Sequence, residues 1–316
     1  GEQRSDRLFA KSLKFNRKLA RFASFSNSVL FKGPFAGLIK RYSGIASQRS
    51  MPELSTKSFD FNSNAAEGLV HHMLQDTEIV LYIDEFSELY DKQLAQDAFD
   101  LLTALGYRVT PLVQMNSARA LLSKAYLEEA KAEIDKNLDS LRLLLKGSVV
   151  MLGLEPSAIL GFRDEYTYMA NDTVWARQVA AKSFMIEEFL ASQINLGKIT
   201  AAQFTDKTAS IKIHNHCYQK ALSDQKCTFD MLNLPVNYKP TIIPSGCCGM
   251  AGSFGYEKEH YEISMKIGEQ TLFPAVRKAA AEVIIAANGT SCRHQILDGT
   301  GKKALHPVTI LKQALA

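Results

Sequence analysis

The five cysteines are the residues of this chain whose chemistry is most informative. All of them lie in the last third of the sequence, at Cys217, Cys227, Cys247, Cys248 and Cys292. Residues 2–20 carry many charges and no apolar core, so we expect no secretion signal there. An odd number of cysteines without such a signal favours a reducing compartment, where clustered thiols bind metal or perform redox chemistry more often than they form disulfides. The cysteines therefore predict a metal or redox site.

A cysteine, or a pair of cysteines, follows each of three predicted strands. These strands span 209–216, 238–244 and 282–287. Because the carboxyl ends of parallel strands meet at one edge of a sheet, we expect four thiols to converge there. They belong to Cys217, Cys247, Cys248 and Cys292. Four convergent thiolates suit a [4Fe–4S] cluster or a tetrahedral zinc ion, and the alternative is a buried cysteine pair in a tight turn.

Other residues near these cysteines are expected to support the metal. Glycines occupy every third position of the turn around the cysteine pair, at Gly246, Gly249, Gly252 and Gly255. Glycine there permits positive φ and lets the backbone approach a bulky centre. We expect further polar residues to orient, hydrogen-bond or neutralise the metal centre, namely His214, His216, Arg293 and His294. Purely structural histidines are the alternative. Cys227, in a predicted helix, is expected to be a structural thiol, and we assign no catalytic acid or base.

The elements that position these residues alternate regularly from about residue 77. Strands are predicted over 79–84, 108–113 and 148–153, with helices over 91–106, 117–146, 156–163 and 172–195. The three later strands alternate with helices over 218–232, 259–280 and 291–297. This duplication of strand and helix order predicts an α/β fold with two pseudo-symmetric, doubly wound parallel-sheet lobes, over 67–207 and 208–316.

A basic helical arm is predicted before the two lobes, over 1–66 together with a linker. Residues 5–24 have the spacing of an amphipathic helix, residues 34–42 of a second helix, and 43–66 the composition of the linker. Residues 1–50 hold eleven Lys and Arg against two acids, a balance of +9 within a total of +4, which leaves −5 for the remainder.

This charge distribution narrows the classes of partner. An anionic membrane surface, or an acidic domain of the same complex, is the expected contact for the arm. The acidic remainder argues against a nucleic-acid partner. The sequence contains no run of ~18 uncharged apolar residues, so we expect a cytoplasmic protein, with peripheral contact at the inner membrane face as an option.

Several segments resemble one family, the CCG cysteine-rich domain. The segments are GCCGMAGSFGYEKEHYEISMKIGEQTLFPAVR at 246–277, HNHCYQKAL at 214–222 and NGTSCRHQILDGTG at 288–301. That domain occurs in the B subunit of heterodisulfide reductase, in the iron–sulfur subunit of glycolate oxidase and at the C-terminus of FAD-linked oxidases of the D-lactate dehydrogenase type. Residues 5–27 and 153–166 resemble the linker and the first repeat of the last group.

The sequence departs from the family pattern in two places. Asn116-Ser117-Ala118-Arg119 and Ala158 stand where the first repeat has cysteines, so we expect no cluster in the first lobe. In the second repeat, Gly289 replaces the first cysteine of a Cys-x-x-Cys pair, so four ligands remain where some relatives use five. With four ligands remaining, we expect the second lobe to bind a single [4Fe–4S] cluster or a zinc ion.

The resemblance implies an electron-transfer role. A flavin would accept a hydride from a 2-hydroxy acid such as D-lactate or glycolate, and iron–sulfur centres would pass the electrons to a quinone or another carrier. Because the chain has no dinucleotide-binding, Walker or ferredoxin-type motif, FAD and any ferredoxin module belong to a separate domain or chain. The alternatives are a zinc-binding docking module without a redox role and a small-molecule pocket around Arg119.

Overall fold

Two parallel four-stranded sheets form the framework of the computed structural model, which describes residues 4–61 and 77–316. The predicted boundary between 66 and 67 lies outside the described residues. The first sheet contains β1 Glu78–Tyr82, β2 Arg108–Leu112, β3 Val150–Gly153 and β4 Ser183–Met185, in the order β2-β1-β3-β4. The second contains β5 Ala209–His214, β6 Tyr238–Ile242, β7 Ile284–Ala287 and β8 Ala304–Leu305, in the order β6-β5-β7-β8.

The two strand orders are the same, so the predicted α/β fold with two doubly wound lobes is confirmed. All six predicted strands are present, each shorter than predicted. The sequence analysis missed β4 and β8. The three residues of β4 interrupt the helix predicted over 172–195, and β8 has only two residues.

Helices surround both sheets and build the arm. The arm contains α1 Arg4–Ala10, α2 Ser12–Ala20, α3 Ala23–Phe25, a π-helix Ser26–Phe31 and α4 Ala36–Ser43. The first lobe contains α5 Glu85–Tyr90, α6 Lys92–Ala104, α7 Arg119–Ser123, α8 Leu127–Leu141, α9 Pro156–Ile159, α10 Glu165–Met169, α11 Thr173–Lys182 and α12 Ile186–Asn195. The second lobe contains α13 Cys217–Leu222, α14 Lys226–Leu232, α15 Tyr261–Gln270, α16 Leu272–Arg277, α17 Thr290–Thr300 and α18 Pro307–Lys312.

Several predicted helices are divided, and local chemistry explains two of the breaks. The helix predicted over 259–280 ends at Gln270 and restarts at Leu272, which places Pro274 in the first turn of α16. Proline is tolerated there but not in the interior of a helix. The helix predicted over 117–146 is divided into α7 and α8 where Ala125 adopts a φ of 59°.

The two lobes share one hydrophobic core. Ile79 and Leu81 of β1 belong to the same buried cluster as Ile211 and Ile213 of β5. The alternate residues of β1 pack on the opposite face of the first sheet. Because both faces of the central strands are buried, the strands are nearly continuous apolar runs. The lobes therefore pack as one body, and their relative position is fixed by the core.

The N-terminal arm contacts both lobes. Arg17 Nη2 lies 2.6 Å from Glu88 Oε2 in the first lobe. In the second lobe, Ala46 N donates to Tyr256 O at 2.8 Å, and Lys258 N donates to Gly44 O at 2.9 Å. The first residues of the predicted linker thus pair with the second lobe. Among the described residues, no helix is both long and apolar enough to cross a bilayer.

Candidate metal centre

Four of the five thiols meet at the carboxyl ends of β6, β5 and β7, which are neighbours in the second sheet. Cys217 begins α13 directly after β5, and Cys292 lies in the first turn of α17 after β7. Cys247 and Cys248 lie in the turn after β6. The Sγ atoms of Cys248 and Cys292 are 3.4 Å apart, and Cys247 contacts both Cys217 and Cys248. The site therefore lies where the strand order reverses, the usual ligand position in such sheets.

The contacts between these sulfurs shift their pKa values in opposite directions. Contact with the thiol of Cys217, and then with that of Cys248, lowers the pKa of Cys247. Contact with Cys248 likewise lowers the pKa of Cys292 well below its usual value. The same contacts raise the pKa values of Cys217 and Cys248. Since metal ligands must be deprotonated, any metal bound here would compete with protons for the sulfur atoms.

His214 brings an imidazole nitrogen to the same place. One of its ring nitrogens lies within 4.8 Å of the sulfur atoms of Cys248 and Cys292. The side chain is completely buried at the end of β5, and its Nδ1 lies 2.7 Å from Ser245 Oγ. Its Nε2 has no hydrogen-bond partner among the described residues. A buried nitrogen without a partner, next to two thiols, fits a metal ion or cluster as the missing partner.

His216 is held differently, although it also lies near the thiols. Its Nδ1 accepts a hydrogen bond from Tyr218 N at 3.1 Å, which caps the start of α13. Its Nε2 is 3.8 Å from Glu155 Oε1 in the first lobe. A Cβ atom on Gly289 would lie 2.4 Å from His216 Cδ2 and 3.2 Å from Cys292 Sγ. A side chain at position 289 would therefore require the ring of His216 to shift.

The glycines of the turn differ in what they do. Gly249 has a φ of +96°, and a Cβ there would lie 2.2 Å from Ser264 O. Its N–H donates to Cys247 Sγ at 3.3 Å, as expected for a backbone that supports a thiolate. Gly252 also has positive φ, at +65°, whereas no atom lies within 4 Å of a Cβ built on Gly246. Sequence position alone does not separate these cases.

Arg293 and His294 form hydrogen bonds with groups other than the thiols. Arg293 donates to the carbonyls of Ala287 and Asn288 and forms an ion pair with Asp91 of the first lobe, at 3.2 Å. The two ring nitrogens of His294 contact Ser50 Oγ, at 2.5 Å, and Tyr256 Oη. Their contacts join the second lobe to the first lobe and to the arm, and the effect of either residue on a bound metal stays a prediction.

Cys227 is separated from the four clustered thiols by its hydrogen bonds. Its Sγ donates to Asp224 O at 2.9 Å and accepts from Gln219 Nε2 at 3.5 Å. Burial raises its pKa to about 12. These contacts agree with the predicted structural thiol.

Arg49 is a residue of the site that the sequence analysis missed. It is fully buried, although it lies in the predicted linker. Its guanidinium donates to Gly255 O at 2.6 Å and to Ser264 Oγ at 2.8 Å, and it pairs with Asp298 Oδ2 at 3.3 Å. Ser264 Oγ in turn donates to Gly249 O at 2.7 Å. The arm thus braces the turn that carries the cysteine pair, and a lone basic residue in a polar stretch gives no sequence signal of this.

Glu155 is a second residue whose role was not predicted, because it lies in the first lobe and contacts a helix of the second lobe. Its Oε2 accepts a hydrogen bond from Thr290 N at 2.7 Å. Thr290 begins α17, the helix that carries Cys292. The first lobe therefore supplies the carboxylate that caps this helix, where the positive end of the helix dipole favours negative charge.

Arg119 also lies between the lobes. Its guanidinium lies 2.5 Å from Glu165 Oε1, contacts Tyr218 Oη, and has its central carbon 5.0 Å from the centre of the Tyr218 ring. The side chain is thus occupied by an ion pair and an aromatic ring. These contacts give no support to a small-molecule pocket around Arg119.

Strand register relates the thiol site to an equivalent place in the first lobe. β1 pairs with β3 and β2 as β5 pairs with β7 and β6. Counting from these pairs, the positions of Cys217, Cys247, Cys248 and Cys292 correspond to those of Glu85, Asn116, Ser117 and Ala158. The correspondence that the sequence analysis made for Asn116, Ser117 and Ala158 therefore agrees with the register.

Polar groups form hydrogen bonds with one another at the place in the first lobe that is equivalent to the thiol site. Ser117 Oγ donates to Glu85 Oε1 at 2.6 Å, and Ser117 N donates to Glu85 Oε2 at 3.0 Å. Ala118 N donates to Asn116 Oδ1 at 3.0 Å, as Gly249 N does to Cys247 Sγ in the second lobe. The first lobe keeps the shape of the turn without its thiols. Its expected failure to bind a cluster stays a prediction.

Comparison with known proteins gives relatives but no family assignment. The chain is 24% identical over 302 residues to the C subunit of anaerobic glycerol-3-phosphate dehydrogenase of Escherichia coli, covering 93% of this chain and 73% of that protein. It is 27% identical over 245 residues to D-2-hydroxyglutarate dehydrogenase of Escherichia coli, covering 76% of this chain and 23% of that protein. The chain is related to dehydrogenases. The D-2-hydroxyglutarate dehydrogenase of Pseudomonas putida is likewise 27% identical, over 241 residues. No family model matches the sequence.

Proposed function

We propose that this chain is the iron–sulfur electron-transfer module of a flavin-dependent 2-hydroxy-acid oxidoreductase, of the D-lactate or glycolate type, which passes electrons from the flavin to a quinone or another carrier. The observation that carries the proposal is the convergence of four thiols from three strand ends. Its relatives support it, since one of them is named as the dehydrogenase of a 2-hydroxy acid. The chain spans 23% of that relative, and we propose that a separate domain or chain binds the flavin.

The proposed ligands of a [4Fe–4S] cluster are Cys217, Cys247, Cys248 and Cys292. Such a cluster, when bound, accepts and releases single electrons. The protein contributes burial, which is nearly complete for Cys248 and Cys292, and the hydrogen bond from Gly249 N to Cys247 Sγ. Both burial and hydrogen bonds to sulfur set the reduction potential. The proposal gives the chain no acid–base role.

The exposed side of the site is where we place electron exchange with partners. Cys217 and Cys247 are half-buried, whereas Cys248 and Cys292 are buried. Lys220 lies beside them and donates to the carbonyls of Ser245 and Gly246, at 2.6 and 2.7 Å. A flavin-binding domain or subunit, and a ferredoxin-type module, are the partners that the proposal requires at this edge.

A zinc ion with a structural or docking role is the second candidate, and one distance favours it. A tetrahedral zinc ion with Zn–S bonds of about 2.3 Å holds its sulfur atoms about 3.8 Å apart. The Sγ atoms of Cys248 and Cys292 are already 3.4 Å apart, and an imidazole nitrogen lies within 4.8 Å of both. Three donors at this spacing suit one metal ion.

The arm is proposed to contact an anionic membrane surface at the inner face of the membrane. Several large apolar side chains of the arm are mostly exposed, among them Phe22 (71%), Phe25 (63%) and Leu38 (66%). Basic residues lie between them, and the two acids of residues 1–50 are at positions 2 and 6. Aromatic and basic residues together suit the boundary between headgroups and acyl chains. An acidic domain of the same complex is the other partner considered.

Co-sedimentation with vesicles distinguishes these partners of the arm. Vesicles with anionic headgroups should retain the protein, vesicles with only zwitterionic headgroups should not, and substitution of both Phe22 and Phe25 by Ser should weaken retention. Equal recovery with either vesicle, and with the variant, would leave the acidic domain as the better account of the basic arm.

Reduction of the anaerobically prepared protein tests the electron-transfer role. The iron-loaded chain should lose a broad visible absorption when reduced and should regain it when reoxidised. Substitution of Cys248 by Ala should abolish this signal, whereas the matched variant Cys227→Ala should keep it. A colourless protein that binds zinc with high affinity, and whose Cys248→Ala variant loses that zinc, would favour the docking role instead.

A further inference from the structure

His214 differs from His216 because its buried Nε2 has no hydrogen-bond partner within the part of the chain that the structure describes. We propose that His214 is itself a metal ligand, through Nε2, beside the clustered thiols. The inference rests on a metal being bound at the proposed site, although it does not depend on whether that metal is an iron–sulfur cluster or zinc. A [4Fe–4S] cluster or a tetrahedral zinc ion takes four protein ligands, so His214 would replace one of the four proposed thiolates.

One arrangement of the Ser245 hydrogen bonds leaves Nε2 of this imidazole free to bind a metal. Ser245 Oγ is placed to donate to Ile243 O, at 3.5 Å, and lies 2.7 Å from His214 Nδ1. With the hydroxyl proton directed at the carbonyl, the serine oxygen accepts from Nδ1–H. The lone pair of Nε2 is then free, which is the tautomer that binds a metal. Metal-binding histidines commonly donate their other N–H to such a group.

The position of the ring is fixed by the sheet. His214 is the last residue of β5, a strand paired on both sides, and its backbone is in register with Ala287 of β7. The side chain is completely buried, so Nε2 cannot turn to solvent. An unpaired polar atom in the interior costs about 1–3 kcal/mol, and coordination of a metal removes that cost.

His216 provides an internal comparison. It lies two residues further along the chain. Its Nδ1 accepts a hydrogen bond from Tyr218 N, and its Nε2 lies 3.8 Å from Glu155 Oε1, within ion-pair distance. Coordination through either nitrogen would cost His216 one of these contacts. Of these two histidines, His214 is the one whose buried Nε2 lacks a hydrogen-bond partner among the described residues.

A neutral imidazole ligand has a predictable consequence for the metal. It brings no negative charge, unlike a thiolate, and iron–sulfur centres with imidazole ligands have higher reduction potentials than those with thiolates alone. Substitution of His214 by Cys should therefore keep the metal and lower its reduction potential. Substitution by Ala should weaken metal binding by at least ~10-fold, as measured by competition with a chelator.

Nitrogen coordination can be measured directly in the unmodified chain. The full chain is prepared with ¹⁵N-histidine and loaded anaerobically either with iron and sulfide, followed by reduction, or with cobalt(II) as a probe of a zinc-type site. Pulsed electron paramagnetic resonance should show strong coupling to a directly bound ¹⁵N nucleus. The coupling should vanish in His214→Cys and persist in the control His260→Gln, whose side chain is 40% exposed.

The outcomes separate this inference from the proposed function. Coupling in the cobalt sample, with no iron bound in the other, would support His214 as a ligand and overturn the electron-transfer role. A reducible iron–sulfur signal without nitrogen coupling would support the electron-transfer role and overturn the assignment of His214 as a ligand. Coupling that survives in His214→Cys, or failure of both metals to bind, would overturn the assignment of His214.

Discussion

Replacement of Arg49 by Met tests whether the arm is part of the metal site. Methionine keeps much of the aliphatic volume and removes the guanidinium. The change deletes hydrogen bonds to Gly255 O and Ser264 Oγ and an ion pair with Asp298. Ser264 is also the residue that donates to Gly249 O, next to the cysteine pair.

The expected loss of stability follows from these contacts. A hydrogen bond from a charged donor contributes about 1.5–3 kcal/mol, and removing one partner of a buried ion pair costs about 3–5 kcal/mol. Asp298 keeps a partner, because Ser50 Oγ donates to it at 2.5 Å, so we expect the lower end of this range. A loss of about 3 kcal/mol lowers the folding equilibrium constant about 100-fold.

Urea unfolding and metal release together make the assay. Unfolding of the metal-free protein gives the free energy, and the rate of metal loss to a chelator reports on the turn. Arg49→Met should be less stable and should release metal faster. The control Arg41→Met changes an exposed arginine of the same arm and should do neither. If Arg49→Met matched the control in both measurements, the arm would be a neighbour of the site and not a support of it.

Three further predictions concern buried groups outside the ligand set. Burial raises the pKa of Glu187 to about 8. Between pH 4.5 and pH 8 the folded chain therefore keeps a proton on this carboxyl group that the unfolded chain releases. The free energy of unfolding falls as the pH rises through this range. The Glu187→Gln variant should therefore have a free energy of unfolding up to about 4 kcal/mol higher than that of the native chain at pH 8, and almost the same value at pH 4. Urea unfolding at the two pH values measures this difference. An equal gain at both pH values would contradict the raised pKa of Glu187. Glu155→Ala should lose the charge-assisted cap on Thr290 N and about 1.5–3 kcal/mol, and calorimetry that finds no change would refute the cap. Cys227→Ala should cost about 1 kcal/mol and leave the bound metal per chain unchanged, so a loss of metal would make Cys227 a ligand.

Local patterns in the sequence predicted the framework of the fold because its central strands are apolar runs bounded by turns. The repeated order of strands and helices gave both lobes, and the rule that strand ends converge brought Cys217, Cys248 and Cys292 to one edge. The short strands β4 and β8 were missed, since two or three residues carry no periodicity. The division of 117–146 at Ala125 was missed for a related reason, because a single alanine with positive φ has no signature.

Contacts between distant segments lay beyond the reach of sequence reasoning. Nothing in the linker composition around Arg49 indicates that its guanidinium is buried against Gly255, because that depends on where the arm packs. The same holds for Glu155, whose partner Thr290 belongs to the other lobe. The surroundings of Gly289 also emerge only in three dimensions, where a Cβ atom added to it would lie 2.4 Å from His216 Cδ2.

The central claim is that the four clustered thiols hold an iron–sulfur cluster. Counting iron, acid-labile sulfide and zinc on anaerobically purified full chain tests it most directly, with Cys248→Ala measured alongside. The account predicts about four iron and four sulfide per chain in the native sequence and neither in the variant. One zinc per chain without sulfide, or iron and sulfide that remain in Cys248→Ala, would contradict it.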